Sequence, residues 1–165
     1  MFVRTAGDRD LAAVRALLVE TWHATYDAIY GAEQVTEITN EWHSIASLKA
    51  RLVKPSSSEF LVADDGKRIG GMAFAEAIGD GGVVMLRQLY VLPALQGRGI
   101  GGMLLDEIIE SFPEAHGIRL EVEEKNTRAV AFYQANGFVQ AGRTENCGSA
   151  GSAIPALIYE RVLAA

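Results

Sequence analysis

The chain of 165 residues has a single cysteine, Cys147, and only three histidines, His23, His43 and His116. One cysteine excludes an internal disulfide and fits a reducing compartment. The histidines are scattered, with no i,i+4 pair and no cysteine beside them, so no metal is expected. No apolar run reaches the length that crosses a bilayer. The N-terminal stretch "MFVRTAGDRDL" carries charge at Arg4 and Asp8 and lacks the apolar core of a signal peptide. A cytoplasmic protein without membrane contact is the expectation. Basic stripes are absent too: 15 Lys and Arg stand against 21 Asp and Glu, for a net charge of −6. That balance excludes the electrostatic footprint of a nucleic-acid binder. It mildly suits a cationic substrate, although solubility is its usual cause.

What is present is an ordinary globular composition, 49% hydrophobic and 22% charged. The length fits one domain over residues 1–165, and neither a repeat nor a linker divides it. "FVRTA" alternates as a short strand. Asp8 is placed to cap a helix with Leu11, Val14, Leu17, Leu18 and Trp22 at helical spacing. From Glu33 to Val53 a second helical region carries Trp42, Ile45, Leu48 and Leu52 on one stripe, and "KPSSS" ends it as a loop. "EFLVA", the Asp-Gly turn in "DDGK", "RIGGMAFAEA", the turn "GDGG" and "VVMLRQLYV" then read as successive hairpin strands.

A helix follows with Leu104, Leu105, Ile108, Ile109 and Phe112 on one face and Asp106, Glu107 and Glu110 on the other. "GIRLEVE" is a strand. Asn126 is placed to cap the helix "TRAVAFYQAN", which Asn136-Gly137 closes in the left-handed conformation. "FVQAGRTE" and "AIPALIYERVL" are the last strands. Hairpins imply antiparallel pairing, and strand–helix–strand around the glycines implies one parallel crossover. The expected fold is α/β, an α+β mixed sheet of about seven mostly antiparallel strands with one β-α-β crossover and helices on both faces. The last strand, as a sheet edge, would serve either a monomer or a homodimer.

The segment "LYVLPALQGRGIGGMLLDEII", Leu89 to Ile109, gathers Gly97, Gly99, Gly101 and Gly102 at a helix start. Close packing of a helix on a sheet accounts for one or two glycines. Gly97-x-Gly99-x-x-Gly102 also matches a dinucleotide fingerprint. Its context is wrong: Leu92 to Gln96 intervene after the strand, and too few βα units follow. A third reading keeps an anion at the helix N-terminus and makes it a pyrophosphate, cradled by successive N–H groups from Gly97 to Gly102 with Arg98 adding charge.

"Q-G-R-G-I-G", Gln96 to Gly101, resembles the Gln/Arg-x-x-Gly-x-Gly/Ala signature of the GNAT superfamily of N-acetyltransferases. "LYVLP" precedes it as in that family. "LEVEEKNTRAVAFYQANGF" resembles the second signature, with Asn126, "AFY" and "NGF" in order. The resemblance implies acetyl-CoA as donor and a small-molecule or peptide amine as acceptor. It places Leu89, Tyr90 and Val91 beside the pantetheine and acetyl group. It places Gln96, Gly97, Arg98, Gly99, Ile100, Gly101 and Gly102 at the pyrophosphate, and Asn126 against the cofactor arm.

Transfer from a thioester to an amine needs a donor for the developing oxyanion, loss of a proton by the amine, and a proton for the thiolate. The resemblance assigns the first to a backbone N–H of the strand at Leu89–Val91 and the third to Tyr133, whose phenol stays neutral until it gives its proton. For the base it points to Glu121, directly or through water; Glu76 is the rival. Alternation along "RLEVE" sets Glu121 and Glu123 on one face. Trp22 and Tyr26, with His23 and Tyr30, either wall the acceptor pocket or pack the core, and the "CGSAGS" loop borders that pocket or merely joins strands. Two alternatives stay open: an acyl-CoA-binding or regulatory module of the same fold without catalysis, and an NAD-dependent oxidoreductase.

Overall fold

Alternation at the N-terminus forms β1 (Phe2–Thr5), whose partner β2 (Ser58–Asp64) runs antiparallel with Val3 opposite Ala63. The computed structural model describes residues 1–53, 57–147, 152 and 154–163. Part of the expected "KPSSS" loop and most of "CGSAGS" therefore lie outside the described residues. The chain falls into two compact units. One comprises Met1–Phe74 and Gln88–Ser111, the other Ala75–Arg87 and Phe112–Ala165. The division runs through β3 (Ile69–Ile78) and β4 (Val83–Val91).

In the first unit a short 3-10 turn, Asp8–Asp10, leads into α1 (Leu11–Tyr30). Asp10, rather than Asp8, does the work at this junction. Its carboxylate accepts the Gly7 N–H at 2.8 Å and both η nitrogens of Arg4 at 2.8 Å. Arg4, whose Nη2 also donates to Asp64 at 3.0 Å, holds the Asp10 carboxyl below the usual range.

The long second helical region is two helices, α2 (Ala32–Trp42) and α3 (Ile45–Leu52). The apolar stripe continues across the break because Trp42 and Ile45 are three residues apart. Ser44 interrupts the backbone by taking the Ser47 N–H on its own hydroxyl at 3.1 Å.

Leu11, Val14, Leu17 and Leu18 of α1 bury against Leu48 of α3 and against Phe60, Val62, Met72 and Phe74 of the strands. Trp22, Tyr26 and Val35 form a second cluster. The helix α4 (Ile100–Glu110) approaches β3 at Gly71, where an added Cβ would lie 3.0 Å from Leu104 Cδ1 and 3.2 Å from the Tyr90 carbonyl oxygen. The glycine that close helix–strand packing demands is thus on the strand.

In the second unit β4 pairs in parallel with β5 (Gly117–Val122), Val84 opposite Ile118 and Leu86 opposite Leu120. The helix α5 (Thr127–Ala135) is capped as expected, with the Asn126 side chain accepting the Ala129 N–H at 3.2 Å. Gly137 ends it at φ 86°, and the Phe138 N–H returns to the Tyr133 carbonyl at 3.0 Å.

The last strand, β7 (Ala156–Val162), is not an edge. It lies between β5 and β6 (Val139–Thr144), antiparallel to both, so β6 occupies the edge. Both sides of β7 are consumed by pairing, which removes it as a surface for a homodimer. Among the described residues the strand order is β1-β2-β3-β4-β5-β7-β6: seven strands, mostly antiparallel, with one parallel pair. Among the described residues no helix is long and apolar enough to cross a membrane.

Candidate functional site

The glycine segment turns at Gly97 (φ 80°) and at Gly99 (φ 84°), which is the N-cap of α4 and offers no side-chain cap. The N–H groups of Ile100, Gly101 and Gly102 fall in the first turn, where no intrahelical acceptor exists. The Ile100 side chain is buried and anchors the helix, leaving only its N–H for other use. Gly97, Arg98 and Gly99 are exposed. Added Cβ atoms at Gly99 and Gly102 would meet nothing within 4 Å. Nothing in this unit therefore requires glycine at position 102. The surface above it is bare peptide with the positive end of a helix behind it.

β4 delivers the residues ahead of this cradle. Its ladder with β5 stops at Leu86, and half-buried Leu89, Tyr90 and Val91 run on beyond it. Gln96 donates from Nε2 to the Val91 carbonyl at 3.1 Å, tying the glycine loop back to the strand end. Its side chain shapes the cradle. The Tyr90 ring packs on both core clusters of the first unit.

Trp22 and Tyr26 are 6% exposed, with ring centroids 4.6 Å apart, and form a packed aromatic cluster that extends to Trp42 and Tyr30. Beside it lie polar residues that sequence reasoning passed over. His43, at the joint of α2 and α3, has its Nδ1 3.3 Å from Gln88 Nε2. Burial, reinforced by the charges of Arg51 and Arg15, pushes the His43 imidazole down to about 3, so it is neutral at physiological pH. Arg51 of α3 donates to the Trp42 carbonyl at 3.0 Å and lies 5.8 Å from the Phe74 ring centroid. These residues come from separate stretches of sequence, and no spacing rule unites them.

In the second unit Glu121 sits half-exposed on β5, opposite Ile158. Glu123 lies beyond the strand. The strand ends at Val122, and buried Glu123 takes the Lys125 N–H on Oε1 at 3.0 Å in the turn that leads to Asn126. Tyr133 is 8% exposed, with its ring edge-on to Phe132 and Phe138 at 5.3 and 5.5 Å. Glu76 is engaged by Arg87, whose Nη2 donates to its Oε1 at 3.1 Å. The Cys147 thiol is pushed up to about 12 by burial and by the charges of Glu121 and Glu123, so it stays protonated and is no nucleophile at neutral pH. Among the described residues no group of His, Cys, Asp and Glu is arranged to hold a metal.

A mostly antiparallel mixed sheet with one parallel pair and helices defines the class as α/β, and α4 in it starts on exposed glycine peptides. The particular family follows from comparison with known proteins. The model of the acetyltransferase (GNAT) family matches residues 12–138, and the chain belongs to that family.

Its fold is that of the PaiA N-acetyltransferase of Thermoplasma acidophilum, solved in complex with coenzyme A, at a TM-score of 0.85 and 24% identity over 98% of both chains. Peptidyl-lysine N-acetyltransferase YjaB of Salmonella typhimurium is 40% identical over 57 residues, 34% of this chain and 37% of YjaB. A probable N-acetyltransferase of Mycobacterium tuberculosis is 29% identical over 144 residues, 86% of this chain and 82% of that protein.

Proposed function

We propose that residues 1–165 act as a single domain that transfers the acetyl group of acetyl-CoA to a primary amine by direct attack in a ternary complex. The observation that carries this reading is the start of α4, without a side-chain cap and with open space over Gly99 and Gly102, in a chain of the acetyltransferase family. Relatives named as peptidyl-lysine N-acetyltransferases support an amine acceptor.

Gly97–Gly102 hold the diphosphate through peptide N–H groups, with exposed Arg98 adding charge. Gln96 keeps the loop in place, and Asn126, while capping α5, reaches the cofactor arm. Bound acetyl-CoA supplies an activated acetyl thioester. A backbone N–H within Leu89–Val91 donates to the developing oxyanion without reorganisation. Glu121 takes the ammonium proton, directly or through water, and the Tyr133 phenol supplies a proton to the leaving thiolate.

Tyr133→Phe removes that proton and leaves the ring packing intact. Turnover, followed by thiol release, is expected to fall roughly 100-fold with acetyl-CoA affinity unchanged. Unaltered turnover with chemistry rate-limiting eliminates Tyr133 as the acid. Acetyl-CoA binding without thiol release across an amine panel favours a non-catalytic acyl-CoA-binding module.

A further inference from the structure

Among the described residues, four buried polar side-chain atoms have no hydrogen-bond partner in the protein: Trp22 Nε1, His43 Nε2, Arg51 Nη1 and Gln88 Oε1. Native proteins carry few such atoms, because each bears the full desolvation penalty of its group. These four belong to one neighbourhood. Gln88 Nε2 lies 3.3 Å from His43 Nδ1. The His43 and Trp22 rings are 5.5 Å apart, and Trp22 meets Trp42 edge-on at 5.7 Å. Arg51 donates its other η nitrogen to the Trp42 carbonyl at 3.0 Å.

Closing the end of α2 does not account for Arg51 in full. Arg15 already takes the Thr39 and His43 carbonyls there, at 3.2 and 2.8 Å. No carboxylate among the described residues pairs with Arg51; it meets the Trp42 carbonyl, the Phe74 ring, the Tyr90 phenol and His43. A cation with a buried, unpartnered η nitrogen and no counter-ion is costly unless something anionic completes it.

The hydrogen-bond polarity identifies the complement. Trp22 Nε1 and Arg51 Nη1 are donors whatever the His43 tautomer, and Gln88 Oε1 is an acceptor. The open set is then two fixed donors, one of them cationic, one acceptor, and His43 Nε2, whose role follows its tautomer. Anionic oxygens next to an N–H donor fit it. The place is also apt. Gln88 lies two residues before Tyr90 on β4, hence on the same face, and Tyr90 packs against the Trp22 cluster. Half-buried Arg51, Trp42 and Tyr90 keep the group close to the surface.

We propose that this cluster recognises the acceptor, and that the acceptor is an amine bearing a carboxylate. Arg51 Nη1 and the Trp22 N–H receive the carboxylate, while Gln88 Oε1 takes an N–H of the amine. The inference rests on the acetyltransferase reading above. It runs against the overall charge of −6, which by itself favours polycations.

The test uses the full chain with saturating acetyl-CoA and matched acceptors: L-alanine, L-phenylalanine and β-alanine, each against its carboxamide, with spermidine as a polycation. The carboxylates are expected to exceed their amides roughly tenfold to a hundredfold in kcat/KM. Arg51→Met should bring that ratio near one without changing KM for acetyl-CoA, and Arg51→Lys should keep part of it. If Arg51→Met fails to fold, the wild-type ratio and Arg51→Lys decide.

Equal or faster use of the amides or spermidine overturns the proposal, as does a preference that survives Arg51→Met or is untouched in Arg51→Lys. Acetyl-CoA binding without turnover of any carboxylate overturns it too, and leaves the cradle standing. Absence of acetyl-CoA binding, read separately by calorimetry, overturns both.

Discussion

The helices α4 and α5 each follow a strand, and they begin differently. In the second unit α5 starts on Asn126, whose side chain accepts the Ala129 N–H at 3.2 Å. In the first unit α4 starts on Gly99 with no side-chain cap and open space over Gly99 and Gly102. The contrast extends to side chains. The second unit pairs its polar groups: Glu123 with the Lys125 N–H, Gln134 with the Tyr159 hydroxyl, Arg119 with Glu160. All four buried unpartnered atoms among the described residues are in the first unit. A helix start or a buried polar group that its own unit satisfies is structural. One left open in an otherwise well-packed unit points to a ligand.

The largest effect expected to sharpen this contrast comes from pH. His43 is buried and neutral, with its pKa depressed to about 3, whereas an unfolded histidine titrates near 6.5. Between those values the unfolded chain binds the extra proton, so stability is full above about 6.5 and is lost as pH falls toward 3. The loss is a few kcal/mol, at most about 5. Asp10, held low by Arg4, adds to the loss at the acid end. Denaturant unfolding of wild type and His43→Asn from pH 7 to 4 checks this. The variant should show a shallower decline, and parallel declines contradict it.

A smaller effect separates two kinds of glycine. Gly71→Ala forces a methyl to within 3.0 Å of Leu104 and 3.2 Å of the Tyr90 carbonyl, which cannot yield. A loss of about 1–3 kcal/mol in chemical denaturation is expected. An unchanged midpoint would show that the contact relaxes.

The sequence disclosed features whose determinants are local. The alternating and helical apolar patterns gave the strands and helices, Asn126 and Gly137 marked the ends of α5, and the glycine run marked the start of α4. Local signals also misled. Ser44 splits a stripe whose apolar spacing continues unbroken, and Asp10 displaces Asp8 because Arg4 and Gly7 meet it in space. β7 looked like an edge because strand order depends on pairings that no local pattern encodes. The cluster of Trp22, His43, Arg51 and Gln88 was illegible for the same reason, since its residues are brought together only by tertiary packing.

The most direct measurement is calorimetric titration of acetyl-CoA into the wild-type chain and into Gly102→Val. Position 102 is helical and its added side chain points into open space, so stability should change by no more than about 0.5 kcal/mol. Saturable binding to wild type, weakened roughly tenfold or more in the variant, is the predicted result. Equal affinity in the two proteins, or no binding to the wild type, would contradict a diphosphate seated on the start of α4.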